Sequence, residues 1–595
     1  MLRFSLTILV TLFFVTCQLN TEVNGDIIDM FKGVLTGYAV KGNGVANRDR
    51  ARKEAVITVA DGILRGIKNR SKYYSFIGIR YGKAPSGDRR FRAAIPEPAW
   101  NGEKRATAYG PQCPQTPIMN GGQYTGEEDC LFLNVYLKDF PKPNETLPVM
   151  FYIHGGAFKG GSGDFLITGP EFLIQENVIL VTINYRLGPL GYLSLDIEEA
   201  PGNAGLQDQI LALKWVQRNI DGFGGDPDRV TIFGQSAGAV STDALMISPA
   251  AKGLFSRVIS QSGSILNPWA VISNPIQQAF RLGYAMGFKG NHTKDLIVFL
   301  KNATVRNIME KANTIDAPYM ERNMMNIYFA PVVEKTFTCK DCQTPVLTRH
   351  PLEIFKSGDY KIVPYIGGFT SGEGIILFRN KRVDTKAWPK FKDSNMYFLP
   401  ANVQMKDMDK STATTLANDI SHLYIGGTSV NSNHGDHLVA VYTTDVQFMH
   451  GITEVLRYNV RHGNNQTFAY RFSFEGGMNF FKKYIGFKGK GASHGDELGY
   501  LFTAPRLFYF GVRLNRKNSP ELIIKNRMVQ MWTNFAKYGD PTPVGKTKIN
   551  IVWQPIKSEK ELLYLDIKQN MEMKTNLNAD RVEFWDEFFE EYQRV

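Results

Sequence analysis

Residues 230–241 read "VTIFGQSAGAVS": an apolar run, Val230 to Phe233, gives way to Gly234, Gln235, Ser236, Ala237 and Gly238. A β-branched and aromatic run followed at once by small residues reads as a strand that turns sharply into a helix. The G-x-S-x-G spacing puts one serine at the tip of that turn with its hydroxyl exposed. Glycines flank it because side chains there would collide with the neighbouring strand and helix. "GGSGD", around Ser162, lacks the second glycine. The plain alternative is a strand-to-helix turn that happens to hold a serine, and the rest of the chain decides between the two.

Comparable runs recur, each ending in glycines: "PVMFYIHGG", "NVILVTINYRLG", "FSRVISQSGS", "IVPYIGGFTSGEG" and "TFAYRFSFEGG". Near-continuous apolar runs suit strands buried on both faces of a largely parallel sheet. "GLQDQILALKWVQRNI" carries apolar residues at helical spacing, with Asp208 near its start, where the helix dipole favours a negative charge. "SPELIIKNRMVQMWTNFAKYGDP" opens on a Ser-Pro start signal and stops at Gly539. The alternation predicts an α/β fold, a large and mostly parallel central sheet covered by helices. Ligands in such sheets bind beyond the carboxyl ends of the strands, where these glycines sit.

A serine hydroxyl is a weak nucleophile until a base takes its proton. Of nine histidines, two that follow the serine compete for that task. His494, in "GASHGDELGYLF", lies in a glycine-bearing loop after a strand, whereas His434, in "SNHGDH", leads into a helical stretch. The loop position favours His494. A carboxylate must fix the tautomer of that base, and Glu373 in "TSGEG" follows a strand at the same edge of the sheet. The order Ser236, Glu373, His494 is that of the α/β-hydrolase fold. "HGGAF", His154 to Phe158, supplies glycines after another strand, so Gly156, Ala157 and Ala237 would present N–H groups to a developing oxyanion. A solvated loop glutamate and an ordinary glycine turn are the plain alternatives. Because residues 154 to 494 must converge, one catalytic domain over 20–595 is the better reading than about four domains of ~150 residues.

The 595 residues are 43% hydrophobic with a net charge of +12, a globular composition. Residues 1–19, with Arg3 ahead of the apolar Leu6 to Val15 stretch, read as a secretory signal too short to span a bilayer. The charged "FWDEFFEEYQRV" end is neither a retention signal nor a lipid-anchor tail. Sequons at Asn69, Asn144, Asn291, Asn302 and Asn465 agree with export. So do Cys113, Cys130, Cys339 and Cys342, an even set that admits three pairings, with Cys113–Cys130 and Cys339–Cys342 expected. The "CKDC" pair has a redox or zinc alternative that lacks a matching second pair. "FRNKRVDTKAWPKFKD" and "FKKYIGFKGKGASHGD" read first as solvated surface and second as a positive rim with a weak attraction to anionic surfaces. No metal, organic cofactor, nucleic-acid partner or stable membrane insertion is expected.

Beyond these single readings, "FIGIRYGKAPSGDRRF", "EEDCLFLNVY", "IHGGAF", "NYRLGPLGYL", "GNAGLQDQILALKWVQRNIDGFGGDPDRVTIFGQSAGAVS", "SRVISQSGS", "GEG" and "GASHGDELGYLF" form a set. Together they resemble the type B carboxylesterases, the cholinesterase-like α/β-hydrolases, over essentially the whole mature length. The resemblance implies a Ser236–Glu373–His494 triad, an oxyanion hole from Gly156, Ala157 and Ala237, and a Cys113–Cys130 disulfide. It implies a secreted esterase that cleaves small apolar carboxylic esters through an acyl-enzyme on Ser236. Gln235 stands where many relatives carry glutamate, and "GQSAG" is similar to the elbow of insect juvenile hormone esterases. The loop "PQTPIMNGGQYTGEED" has no tryptophan to stack on a quaternary ammonium, so choline esters are not expected substrates. Adhesion proteins of the same fold that lack the triad, and lipases acting at lipid surfaces, are the rival readings. A neutral-imidazole base predicts activity that falls below about pH 6.

Overall fold

Among the described residues the apolar runs become one sheet of 13 strands. In chain order they are β1 (Glu54–Val59), β2 (Gly62–Asn69), β3 (Tyr73–Arg80), β4 (Glu103–Arg105), β5 (Phe132–Leu137), β6 (Leu147–Ile153) and β7 (Ile179–Ile183). β8 (Gly225–Gln235), β9 (Arg257–Gln261), β10 (Tyr365–Thr370), β11 (Thr467–Phe472), β12 (Leu563–Ile567) and β13 (Glu572–Thr575) complete it. The spatial order is β1-β2-β3-β5-β7-β6-β8-β9-β10-β11-β12-β13, with β4 beside β2. From β7 to β12 every neighbouring pair is parallel. Antiparallel strands flank this middle on both sides. This is the α/β-hydrolase architecture expected, a sheet parallel through its centre and covered by helices. The flanks went unread because strands such as β1, with exposed and part-buried residues alternating, carry a weak apolar signal.

The computed structural model describes residues 53–592 apart from 70–71, 118–121, 316–326, 339–342, 380–381, 384–394, 401–402, 404–407, 427–432, 504–518 and 577. The expected signal segment 1–19, together with Cys339 and Cys342, lies outside the described residues. Among the described residues no helix is long and apolar enough to cross a membrane.

Period-two geometry explains why the central strands tolerate no polar face. Val149, Phe151 and Ile153 of β6 join one apolar cluster with Trp215 and Val216. Met150 and Tyr152 join another with Met528 and Trp532. Trp215 and Val216 belong to α1 (Ala204–Asn219). α2 (Ala237–Ile247) follows β8 directly, and α3 (His450–Arg461) continues a π-helical turn at Asp445–Met449. Met528 and Trp532 lie on α4 (Pro520–Tyr538), which starts where Ser519 Oγ accepts the Leu522 N–H at 3.3 Å and stops at left-handed Gly539. Both helices read from the sequence form within a residue or so of the expected bounds.

Asp208 differs from its reading. It is fully buried and accepts from the Arg186 guanidinium at Nε and Nη2, each at 2.7 Å, and from the Arg186 N–H at 3.1 Å. A partner 22 residues away in sequence, rather than the helix dipole, accounts for the carboxylate.

Cys113 and Cys130 form a disulfide. Asn144, Asn291, Asn302 and Asn465 are exposed, while Asn69 is half-buried with its amide donating to Ser75 Oγ at 2.8 Å. Of the lysine-rich stretches, most of the first lies outside the described residues. In the second, the Lys482 ammonium is already held by Glu475 and by the Gly491 carbonyl.

Candidate active site

The strand-to-helix turn behaves as its spacing requires. Ser236 sits between β8 and α2 at φ 60° and ψ −124°, a conformation that costs a non-glycine residue about 1–3 kcal/mol and persists only where its surroundings impose it. Here they do. The Ser236 N–H donates to the Gln261 carbonyl at 2.8 Å, and the Ser236 carbonyl accepts from Ala239 at 2.8 Å and Val240 at 3.0 Å. A Cβ on Gly234 would lie 2.4 Å from the Gly238 backbone, and one on Gly238 would lie 2.1 Å from the Ile153 carbonyl oxygen. Only glycines let strand, turn and helix approach this closely.

"HGGAF" packs against this turn, since a Cβ on Gly155 would lie 3.0 Å from the Ser236 Cβ. Gly156 and Ala157 take left-handed conformations, φ 118° and 56°. Among the described residues no acceptor is bonded to the N–H groups of Gly156, Ala157 or Ala237. Ala237 is the first residue of α2, where no intrahelical acceptor exists. His154, just past the end of β6 and just before these glycines, has a task here. Its Nδ1 lies 2.8 Å from the Gly155 carbonyl oxygen, its ring stacks on Tyr185 at 4.3 Å, and burial pushes its pKa down to about 4. A carbonyl only accepts, so the neutral ring carries its proton on Nδ1. Because a trans peptide points its C=O and N–H in opposite directions, pinning the Gly155 oxygen also aims the Gly156 N–H. Chain proximity, one residue from the cradle, was the only sequence signal for this.

Glu373 opens a short helical turn after β10, and His494 lies in the loop that follows β11. Gly372 and Ser493 pair as a parallel bridge that sets the two turns side by side. His494 Nδ1 faces Glu373 Oε2 at 2.5 Å, while Glu373 Oε1 accepts the Thr370 N–H at 2.6 Å. All three of Ser236, Glu373 and His494 are buried. The imidazole rests against Phe448, ring centroids 4.8 Å apart, which the π-helical turn carries inward. His434 lies on the Asn433–Thr444 helix and its side chain falls outside the described residues.

Two features of the His494 loop had no sequence signal. Asp496 Oδ2 accepts from the Ser493 N–H at 2.7 Å and from the Asn479 amide at 3.1 Å, and Oδ1 accepts from the Lys482 N–H at 3.0 Å. Asp496 thereby braces the loop, at the cost of burial that raises its pKa to about 6. The second is the partner of His494 Nε2. Ser236 Oγ makes no hydrogen bond among the described residues, and the Gln235 side-chain nitrogen instead stands 3.1 Å from Nε2.

Elsewhere, His450, Glu454 and Asp586 converge as metal ligands could. Arg457 Nη1 already lies 2.9 Å from Glu454 and 2.7 Å from Asp586, so the cluster has its cation.

Comparison with known proteins adds an independent line. The model of the carboxylesterase family matches residues 53–585. Juvenile hormone esterase of Tribolium castaneum is 34% identical over 555 residues, spanning 87% of this chain and 90% of that protein. Bile salt-activated lipase of Rattus norvegicus is 33% identical over 510 residues, spanning 83% and 78% respectively. The crystal structure of juvenile hormone esterase from Manduca sexta, with OTFP covalently attached, matches with a TM-score of 0.79 at 29% identity. It covers 90% of this chain and 100% of that one.

Proposed function

The chain belongs to the carboxylesterase family and is a carboxylic ester hydrolase, and from that premise we propose that Ser236 is its nucleophile, His494 its general base and Glu373 the carboxylate that orients the base. The observation that carries the reading is the 2.5 Å contact between Glu373 and His494 Nδ1, with His494 Nε2 turned to the residue beside the strained serine. A carboxylate only accepts, so Nδ1 holds a proton and Nε2 carries the lone pair that takes one. In the reaction Ser236 Oγ attacks the ester carbonyl carbon as its proton passes to Nε2. The oxygen that gains charge faces the N–H groups of Gly156, Ala157 and Ala237, each worth about 10²–10³ in rate. His494 then protonates the departing alcohol. Water, activated by the same nitrogen, releases the acid from Ser236.

The same premise supports an exported protein acting on small apolar esters. The Cys113–Cys130 disulfide suits an oxidising compartment, and four sequon asparagines stand exposed. A narrower reading, a hormone ester hydrolase for methyl esters of terpenoid acids, rests on the similarity to two juvenile hormone esterases. Hydrolysis of short acyl, long acyl, terpenoid methyl and choline esters by the wild type and by Ser236→Ala tests both. Turnover that survives in Ser236→Ala removes the nucleophile. A terpenoid methyl ester cleaved no better than the short acyl ester removes the narrower reading.

A further inference from the structure

We infer that Gln235 is a positioning residue that sets the lower pH limit of the reaction by holding His494 in its neutral, proton-accepting form; the inference rests on the triad proposed above. Glu373 Oε2 stands 2.5 Å from Nδ1, so Nδ1 is the donor of that contact. The amide nitrogen of Gln235 can only donate, and it stands 3.1 Å from Nε2. Nε2 must therefore present its lone pair. In this orientation the bond exists for neutral His494 and is lost once Nε2 gains a proton, because two N–H groups then face each other; only a half-turn of the amide would offer its oxygen to Nε2–H. An interaction made only by the uncharged form favours that form.

The surroundings sharpen the effect. Gln235 and His494 are both buried, and the amide approaches from the elbow strand while Glu373 approaches from the opposite side of the ring. The other titratable groups of this neighbourhood include Asp496 and Glu497, the two residues after Gly495, and the buried Tyr470 phenol, which faces Glu497 and Glu373 electrostatically. Burial raises both carboxyls, toward the uncharged carboxylic acid, and Glu497 also faces Glu373 electrostatically. Phe448 on the π-helical turn is apolar, and Phe481 packs against Gly495. Glu373 is thus the charged group in direct contact with the imidazole, and Gln235 is the neutral group at its other nitrogen. The amide and Ser236 Oγ compete for one lone pair. In the resting protein the amide holds it, and proton transfer from the serine requires the amide to yield.

A carboxylate in place of this amide would accept from Nε2–H and reverse the preference. The test is the pH dependence of kcat/KM for a nitrophenyl ester in the wild type, Gln235→Glu and Gln235→Met. The midpoint of the acid limb is read relative to each variant's own plateau, and thermal melts confirm folding. Gln235→Glu is expected to move that midpoint up by about one pH unit, a tenfold loss of activity on the limb. Gln235→Met, which removes the donor without adding charge, is expected to move it up by less. Midpoints that coincide in all three proteins, or a downward move in Gln235→Met, overturn the inference; the downward move would mean that the amide oxygen faces Nε2. If Gln235→Glu does not fold, Gln235→Met alone decides. A wild type with no acid limb would instead remove His494 as the base.

Discussion

Glu373→Gln exchanges one carboxylate oxygen for an amide nitrogen at nearly constant volume, and the structure dictates which way the new group must face. The Thr370 N–H, 2.6 Å from Oε1, needs an acceptor and holds the amide oxygen. The amide nitrogen is then left at the Oε2 position, 2.5 Å from His494 Nδ1. It cannot accept a proton, so the imidazole must surrender the one on Nδ1 and carry it on Nε2 instead. No lone pair then faces Ser236. On the proposed mechanism, the positive charge that His494 gains in the transition state also loses its counter-charge. Together these should lower kcat by about 10⁴, or about 5.5 kcal/mol in barrier, with little change in KM. Glu373→Asp keeps the charge but draws it back by one methylene, and a misplacement of about 1 Å can cost about 10²-fold. The assay is kcat and KM on a nitrophenyl acetate at pH 8, with thermal melts to show that all three proteins are folded. A folded Glu373→Gln protein within tenfold of the wild type would refute the reasoning.

Three other outcomes follow from geometry outside the triad. Gly238→Ala forces a methyl to within 2.1 Å of the Ile153 carbonyl oxygen, so soluble yield or melting temperature should fall sharply; a melt equal to the wild type would contradict the packing of α2 on β6. Asp208→Asn leaves the buried Arg186 guanidinium without its counter-charge and should cost about 3–5 kcal/mol in denaturant unfolding, whereas a loss under 1 kcal/mol would place the arginine in water. Glu334 is buried with Oε2 accepting from Asn203, Val346 and Leu347, and burial raises its pKa from 4.5 to about 7. The folded protein therefore holds this proton more tightly than the unfolded chain. The resulting penalty is absent below pH 4.5 and complete above about pH 7, where it reaches about 3 kcal/mol. Glu334→Gln should gain stability relative to the wild type as pH rises through that window. Parallel stability curves would show that Glu334 does not titrate there.

The geometry of this site was written in short, local patterns, which is why so much of it could be read. Gly234, Ser236 and Gly238 declare a turn that only such residues can make, and the strand preceding each of His154, Glu373 and His494 places them at one edge of a parallel sheet. Side-chain partners from distant segments were not legible. Nothing in the spacing of Asp208 announces Arg186, and nothing in "GASHGD" says that Asp496 braces the His494 loop. Gln235 was read as a deviation at a motif position, because its contact with a residue 259 positions away depends on a fold assembled elsewhere. The antiparallel flank of β1, β2 and β3 escaped for a different reason, its partly exposed faces lacking the continuous apolar signal of β6 and β7.

One measurement bears on the whole account: the protein is reacted with a fluorophosphonate, digested, and the modified residue located by mass spectrometry. A single adduct on Ser236, absent from Ser236→Ala and formed far more slowly in Glu373→Gln, is the outcome the account predicts. An adduct on any other residue, or labelling undiminished in Ser236→Ala, would contradict it.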